Sequence, residues 1–234
     1  MSKKKKIVIL TGAGISAESG IQTFRDADGL WEGHDVMEVA SPQGWARNRE
    51  LVLDFYNQRR RQVLDVHPNE GHKALVELED KYEVCIITQN VDNLHECAGS
   101  KRIVHLHGEL LKARSTLDSQ LVYDWAKDIN LGDKCEKGSQ LRPHIVWFGE
   151  AVPMLEKAAE ITSIADILII IGTSMQVYPA AGLINYVESH VPIFFIDPRP
   201  RISEGDFPNL KIIEENATTG VRKLVNSLLS ASLI

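Results

Sequence analysis

Four short runs of this 234-residue chain are almost wholly apolar: Ile7 to Leu10, Val84 to Ile87, Ile167 to Ile171 and Ile193 to Ile196. Each stops at polar punctuation, in turn Thr11-Gly12, Thr88-Gln89-Asn90, Gly172-Thr173-Ser174 and Asp197-Pro198. An apolar run of strand length without alternation marks a strand covered on both faces, as in parallel sheets. A helical pattern occupies about 70–80, 154–164, 179–189 and 217–230. Strands alternating with helices predict an α/β fold. Its core would be a doubly wound, mostly parallel, Rossmann-like sheet whose ligands gather beyond the carboxyl ends of the strands.

Two segments break the alternation. Residues 34–65 read as helical, with Leu51, Leu53, Phe55 and Val63 among charged positions, whereas 110–144 are polar and loop-like. Both read as insertions that form a smaller module over the cofactor edge. The expected division is a single domain over 1–234, its Rossmann-like part at about 1–33, 66–109 and 145–234 and its module at about 34–65 and 110–144.

Hydrophobic residues make up 44% of the chain and charged residues 25%, an ordinary balance for a globular protein. A net charge of −6 argues against nucleic-acid partners, because phosphate backbones call for a basic surface. The longest apolar run, Ile167 to Ile171, falls far short of the roughly 20 residues that span a bilayer. Met1-Ser2-Lys3 opens no secretory signal, and three cysteines without a Cys-x-x-Cys pair fit a reducing compartment. The expectation is a cytoplasmic monomer with neither a membrane nor a nucleic-acid partner.

The turn after the first strand reads Thr11-Gly12-Ala13-Gly14-Ile15-Ser16-Ala17. Glycines there let a backbone approach a pyrophosphate, and a helix opening near Ser16 would present free N–H groups to it. A dehydrogenase would continue with a second strand and an acidic ribose ligand about 20 residues on. This chain instead runs through Gly20, Thr23-Phe24-Arg25 and Gly29, a polar, turn-rich cofactor loop with an arginine able to pair with an anion. After the second apolar run, Gln89, Asn90 and Asp92 offer amide and carboxylate groups suited to ribose hydroxyls and a carboxamide. His105 and His107 alternate, so at most one of them faces the site, where a neutral histidine can take a proton near pH 7. Tyr56 and Arg59 lie three apart on the helical insertion and share a face, where a guanidinium beside a phenol can hold a carboxylate. The alternative is that Arg59, Arg60 and Arg61 form a solvated helix face.

In order along the chain, six segments resemble the signatures of the sirtuin family. They are Gly12-Ala13-Gly14-Ile15-Ser16, Gly20-Ile21-Gln22-Thr23-Phe24-Arg25, Gln89-Asn90-Val91-Asp92, His107-Gly108-Glu109, Pro143-His144-Ile145-Val146-Trp147-Phe148-Gly149-Glu150 and Gly172-Thr173-Ser174. The resemblance runs from about residue 7 to residue 225. Sirtuins are NAD-dependent protein-lysine deacylases, so it implies NAD as co-substrate and acylated-lysine proteins as partners. It further implies NAD contacts at Gly12, Ala13, Gly14, Ser16, Thr23, Phe24 and Arg25, with Gln89, Asn90 and Asp92 near the nicotinamide ribose and carboxamide. Gly172, Thr173 and Ser174 would take the adenosine side. His107 would be the general base, with Asn90 as the second catalytic residue. In the implied reaction the acyl oxygen attacks C1′ of the nicotinamide ribose and nicotinamide leaves. The acyl group then passes to the sugar, giving an O-acyl-ADP-ribose and a free lysine. Val146, Trp147, Phe148, Gly149 and Glu150 resemble the strand that pairs with substrate peptide through its backbone. Tyr56 and Arg59 match the Tyr-x-x-Arg pattern of sirtuins that remove succinyl and malonyl groups.

The match breaks in two places. Many members hold a structural zinc with two Cys-x-x-Cys pairs; the corresponding residues here are Ser115 and Asp118, then Cys135 and Gly138. One thiolate cannot build that tetrahedral site, so no zinc is expected. Asp197 stands where an asparagine often contacts the adenosine, and an acidic side chain there can bond a ribose hydroxyl instead. Ala217, in Ala217-Thr218-Thr219-Gly220-Val221, resembles the late segment that closes on adenine. Two other readings stay open: an NAD-binding regulator without catalysis, and an ADP-ribosyltransferase that passes the sugar to a protein nucleophile.

Overall fold

The computed structural model describes residues 4–22, 30–31 and 33–230. Its first elements in chain order are β1 (Lys6–Thr11), β2 (Leu30–Trp31), β3 (His34–Asp35), α1 (Val36–Val39), α2 (Pro42–Arg47), α3 (Arg49–Asp65) and α4 (Glu70–Glu77). There follow β4 (Glu83–Thr88), α5 (Leu94–Ala98), β5 (Ile103–His105), β6 (Gly108–Ser115), β7 (Val122–Asp124) and β8 (Leu141–Ile145). The chain ends with α6 (Leu155–Ser163), β9 (Ile167–Ile171), β10 (Ile193–Ile196), β11 (Leu210–Ile213) and α7 (Ala217–Ser230).

Six of these strands form the expected parallel sheet, in the order β11-β10-β9-β1-β4-β5. From β1 the chain steps outward to β4 and β5, then returns to the other side of β1 for β9, β10 and β11, so the strand order reverses between β1 and β9. A crevice opens at the carboxyl ends of such a switch point. The apolar runs are strands because both faces are covered. Ile7 and Ile9 pack under α4 and α7, while Val8 and Leu10 pack under α6 and a 3-10 stretch at Ala180–Tyr186. The helix expected at 179–189 is therefore a tighter 3-10 stretch. β5 and β11 add edges to the four anticipated strands; Lys211 interrupts the apolar run of β11.

The insertion at 34–65 is helical, as its pattern predicts. Ser41 caps α2 by accepting from Gly44 N at 3.0 Å, with Pro42 at the first helical position, and Asn48 caps α3 by accepting from Leu51 N at 3.1 Å. The segment 110–144 is not loop-like: it holds most of a three-stranded antiparallel sheet in the order β7-β6-β8. Its alternation was hidden because β8 buries Arg142 and Pro143 beside Leu141. Val39, Trp45, Val52, Phe55 and Tyr56 from the helices meet Leu110, Ala113, Leu141, Ile145 and Trp147 in one apolar core. Among the described residues, no helix is long and apolar enough to cross a membrane.

Candidate active site

The crevice at the switch point is a cleft of about 470 Å³. At its floor the turns after β1 and β9 touch: Gly14 N donates to Gly172 O at 2.8 Å, and Gly12 N to Ile171 O at 3.0 Å. A Cβ on Gly14 would lie 2.5 Å from Gly172 Cα, and Gly172 itself sits at φ +61°. The close approach these glycines permit is thus between two protein backbones, not only toward a ligand. No α-helix opens near Ser16. The chain makes two 3-10 turns, Ala13–Ile15 and Ala17–Ser19, which Gly20 ends in the left-handed region. The helix-dipole part of the phosphate expectation therefore falls away. Gly12, Ala13 and Gly14 border the cleft; Thr23, Phe24 and Arg25 lie outside the described residues.

Ser16 is drawn inward to a buried polar network. Its Oγ donates to Asp92 Oδ2 at 3.0 Å and accepts from Asn90 Nδ2 at 3.1 Å, while His72 Nε2 stands 3.5 Å away. The His72 ring meets that of His95 edge-on at 5.0 Å, and His95 Nε2 lies 3.1 Å from Thr11 Oγ1. Burial pushes His72 down to about 4 and His95 well below the histidine range, so both are neutral at pH 7. Burial also raises the pKa of Asp92, against the pull of its bonds from Leu94 N and Ser16. The loop that carries Gln89, Asn90 and Asp92 is fixed at its start, where Gln89 N donates to Thr11 O at 2.9 Å and Asn90 N to Thr88 Oγ1 at 3.0 Å. Gln89 Nε2 reaches across the switch point to Thr173 Oγ1 at 3.2 Å.

The two candidate histidines lie at the joint between β5 and β6, and their environments differ. His107 Nδ1 is 3.0 Å from Gln89 O. A carbonyl only accepts, so Nδ1 carries the proton and Nε2 keeps its lone pair. Burial holds the His107 pKa below the ordinary value, against the opposing effect of that bond, which leaves a neutral proton acceptor bordering the cleft. His105 instead sits between two acceptors, Asn90 O at 3.4 Å and Glu96 Oε1 at 2.7 Å. Burial alone would lower its pKa; the Glu96 carboxylate overrides this and raises it. His105 bridges Asn90 O and Glu96 beside α5 and does not border the cleft.

Tyr56, Arg59 and the segment from Val146 to Glu150 border the same cleft as His107. That segment is a turn after β8, not a strand. Val146 N is bonded to His107 O at 2.9 Å, Phe148 N to Ala40 O at 2.9 Å, and Glu150 folds back to accept from Trp147 N at 2.8 Å. Glu150 also accepts from Arg142 Nη1 at 2.7 Å and Arg114 Nη2 at 3.0 Å. These bonds to Arg142 and Trp147 N outweigh burial and hold its pKa below the usual carboxylate value. The three consecutive arginines of α3 have three fates, as helical geometry requires. Arg59 lies 3.8 Å from the centroid of the Phe55 ring, Arg60 is wholly buried and donates to Leu110 O at 3.0 Å, and Arg61 pairs with Asp128 at 2.9 Å at the surface. The solvated-face reading fits Arg61 alone.

Gly172, Thr173, Ser174, Asp197 and Ala217 also border the cleft. Asp197 is almost fully buried and accepts from Arg199 N at 2.9 Å. At the positions matching the zinc ligands, Ser115 Oγ bonds Ser139 Oγ at 2.8 Å and accepts from Leu117 N and Asp118 N, each at 3.1 Å. Cys135 Sγ lies 3.3 Å from both hydroxyls, whose hydrogen bonds draw its thiol down to about 7. Asp118 is paired with Lys137 at 2.7 Å. One sulfur among hydroxyls that already bond one another does not fit tetrahedral zinc. Sequence reasoning missed His72, Arg114 and Arg142. A histidine on the apolar face of α4, next to Ala74 and Leu75, was the available sign for the first; nothing local announced the two arginines.

The Sir2 family pattern matches residues 12–179. An NAD-dependent protein deacylase of Helicobacter pylori is 60% identical over 226 residues, which covers 96% of this chain and 98% of that protein. One from Bacteroides thetaiotaomicron is 50% identical over 233 residues, covering 97% and 99%. Among solved structures, a Sir2 homologue mutant–ADP ribose complex is similar at a TM-score of 0.88, with 39% identity over 99% of this chain and 96% of that one. A Sir2 bound to acetylated peptide is similar at a TM-score of 0.79, with 26% identity over 97% and 95%. The chain belongs to the Sir2 family.

Proposed function

We propose that this chain removes acidic acyl groups such as succinyl and malonyl, as well as acetyl, from protein lysines. By its family it is an enzyme, an NAD-dependent protein deacylase, with NAD as co-substrate. In this reading NAD lies along Gly12, Ala13 and Gly14, with Ser16 behind them, and Thr23, Phe24 and Arg25 are further NAD contacts. Gln89, Asn90 and Asp92 serve its nicotinamide end, and Gly172, Thr173, Ser174, Asp197 and Ala217 its adenosine end. The residues suit the molecule: one cleft is bordered by the uncharged amides of Gln89 and Asn90 and by the almost buried carboxylate of Asp197, which can accept from ribose hydroxyls. The helical and antiparallel insertions act as one module over that cleft.

NAD, when bound, supplies a glycosidic bond that breaks to release nicotinamide and a sugar that takes the acyl group. The protein's own part is position and proton transfer. His107 takes up a proton at Nε2, its other nitrogen being committed to Gln89 O. The Asn90 amide is oriented by its bond to Ser16 Oγ, so it presents a fixed dipole without a charge of its own. Val146 to Glu150 offer backbone to the substrate peptide, and half-exposed Phe148 gives its flank an apolar surface. Tyr56 and Arg59 receive the carboxylate of an acidic acyl chain.

The observation that carries this reading is that Tyr56 and Arg59 border the same cleft as the neutral His107. The test is mass spectrometry of purified protein with NAD and matched acetyl-lysine and succinyl-lysine peptides, following free lysine and O-acyl-ADP-ribose. Product from both peptides with strong succinyl turnover is expected. Acetyl turnover alone would remove the acidic-acyl part, and NAD-dependent product from neither would remove the whole.

A further inference from the structure

Tyr56 is a wholly buried phenol whose donor capacity is unused among the described residues. Its oxygen accepts from Trp147 Nε1 at 3.0 Å, and no described residue accepts the phenol's own proton. Burial raises its pKa above the usual tyrosine value, so the proton stays in place. The indole is held from beyond: the Arg142 guanidinium lies 3.2 Å from its ring centroid, and Glu150 and Ile145 O fix that guanidinium at 2.7 and 3.0 Å.

We infer that Trp147 determines acyl-group specificity by donating its indole N–H to Tyr56, which leaves the phenol as a donor to whatever acyl group enters the cleft. This rests on the acidic-acyl reading of Tyr56 and Arg59. The indole N–H takes one acceptor site of the oxygen and fixes the phenol in place, while its O–H is left to donate. A carboxylate at the end of the acyl chain accepts that proton, whereas an apolar chain of equal reach leaves a buried donor unpaired. Trp147 is in this respect a positioning residue: its indole acts through Tyr56.

The test measures kcat and KM with matched succinyl-lysine and acetyl-lysine peptides at saturating NAD in wild type, Tyr56→Phe, Trp147→Phe and the double variant. Tyr56→Phe should lower the succinyl-over-acetyl ratio of kcat/KM by about 10–100-fold, the range for a hydrogen bond to a charged group. Trp147→Phe should lower it by about 3–10-fold, mainly through KM for the succinyl peptide, as loss of a neutral orienting bond would. The double variant should fall no further than Tyr56→Phe alone. Placing 3-benzothienylalanine at position 147 keeps the bicyclic ring without its N–H and should reproduce Trp147→Phe, which keeps the test open if the smaller ring folds poorly. Equal loss on both peptides, or effects of the two substitutions that multiply, would overturn the role of Trp147 while Tyr56 stands. A ratio that Tyr56→Phe leaves unmoved would instead bring down the acidic-acyl reading itself.

Discussion

Among the described residues at the sheet edge, Ser16, Asn90, Asp92, His72 and His95 form a network that holds no cation, since burial keeps both histidines neutral. At the module, Arg114 and Arg142 converge on Glu150 beneath Trp147, and Arg59 rests on Phe55. The first region suits a reaction in which positive charge develops on a sugar, because fixed neutral dipoles can stabilise it. The second suits discrimination, because charge separates acyl chains that differ in charge. Turnover should therefore answer to the sheet edge, and both acyl preference and acid stability to the module.

The largest effect should come from the base. His107→Ala should cut deacylation of both peptides by about 10²–10⁴-fold, while NAD affinity measured by calorimetry stays within about threefold of wild type. Unchanged turnover would remove His107 from the mechanism.

Next in size is the module's ion pair. Glu150→Gln should destabilise the protein by about 2–4 kcal/mol in denaturant unfolding at pH 7, since it leaves two largely buried guanidinium groups short of their partner. The sign with pH follows from the depressed Glu150 pKa. Its stabilisation is present above the ordinary carboxylate range and lost as pH falls through the folded value, so wild type and variant should converge at acid pH. A difference that persists there would contradict the ion-pair origin.

A smaller effect concerns pH and rate. With burial holding the His107 pKa below the ordinary histidine value, the rising limb of kcat/KM should have its midpoint below that ordinary value. A limb centred above it would contradict a His107 held down by burial. Smallest is a change that should not occur: chelator should leave the melting temperature unmoved and metal analysis should find no stoichiometric zinc, because Ser115, Cys135 and Ser139 already bond one another. Stoichiometric zinc would contradict that.

The sheet was legible because β1, β4, β9 and β10 are covered on both faces, which forces unbroken apolar runs into the sequence. The antiparallel sheet was not, because β8 spends its buried positions on Arg142 and Pro143, and the partner that makes a buried arginine tolerable, Glu150, lies in a different turn. The glycines at 12 and 14 were visible but half understood, since their contact with Gly172 joins segments about 160 residues apart. Ser16 and Asp92 stood out as motif members, whereas their bond to each other is a tertiary fact. His105 and His107 look alike in the sequence; their partners, Glu96 in α5 for the first and Gln89 O for the second, are tertiary facts that set them apart.

The most direct measurement of the division between rate and choice is the kcat/KM of matched succinyl-lysine and acetyl-lysine peptides in wild type and Arg59→Met at saturating NAD. The expected result is a succinyl KM raised by about 10–100-fold, the loss of one charge-assisted contact, and a much smaller rise for acetyl. Equal effects on the two peptides would contradict it, and would leave Arg59 without a part in acyl choice.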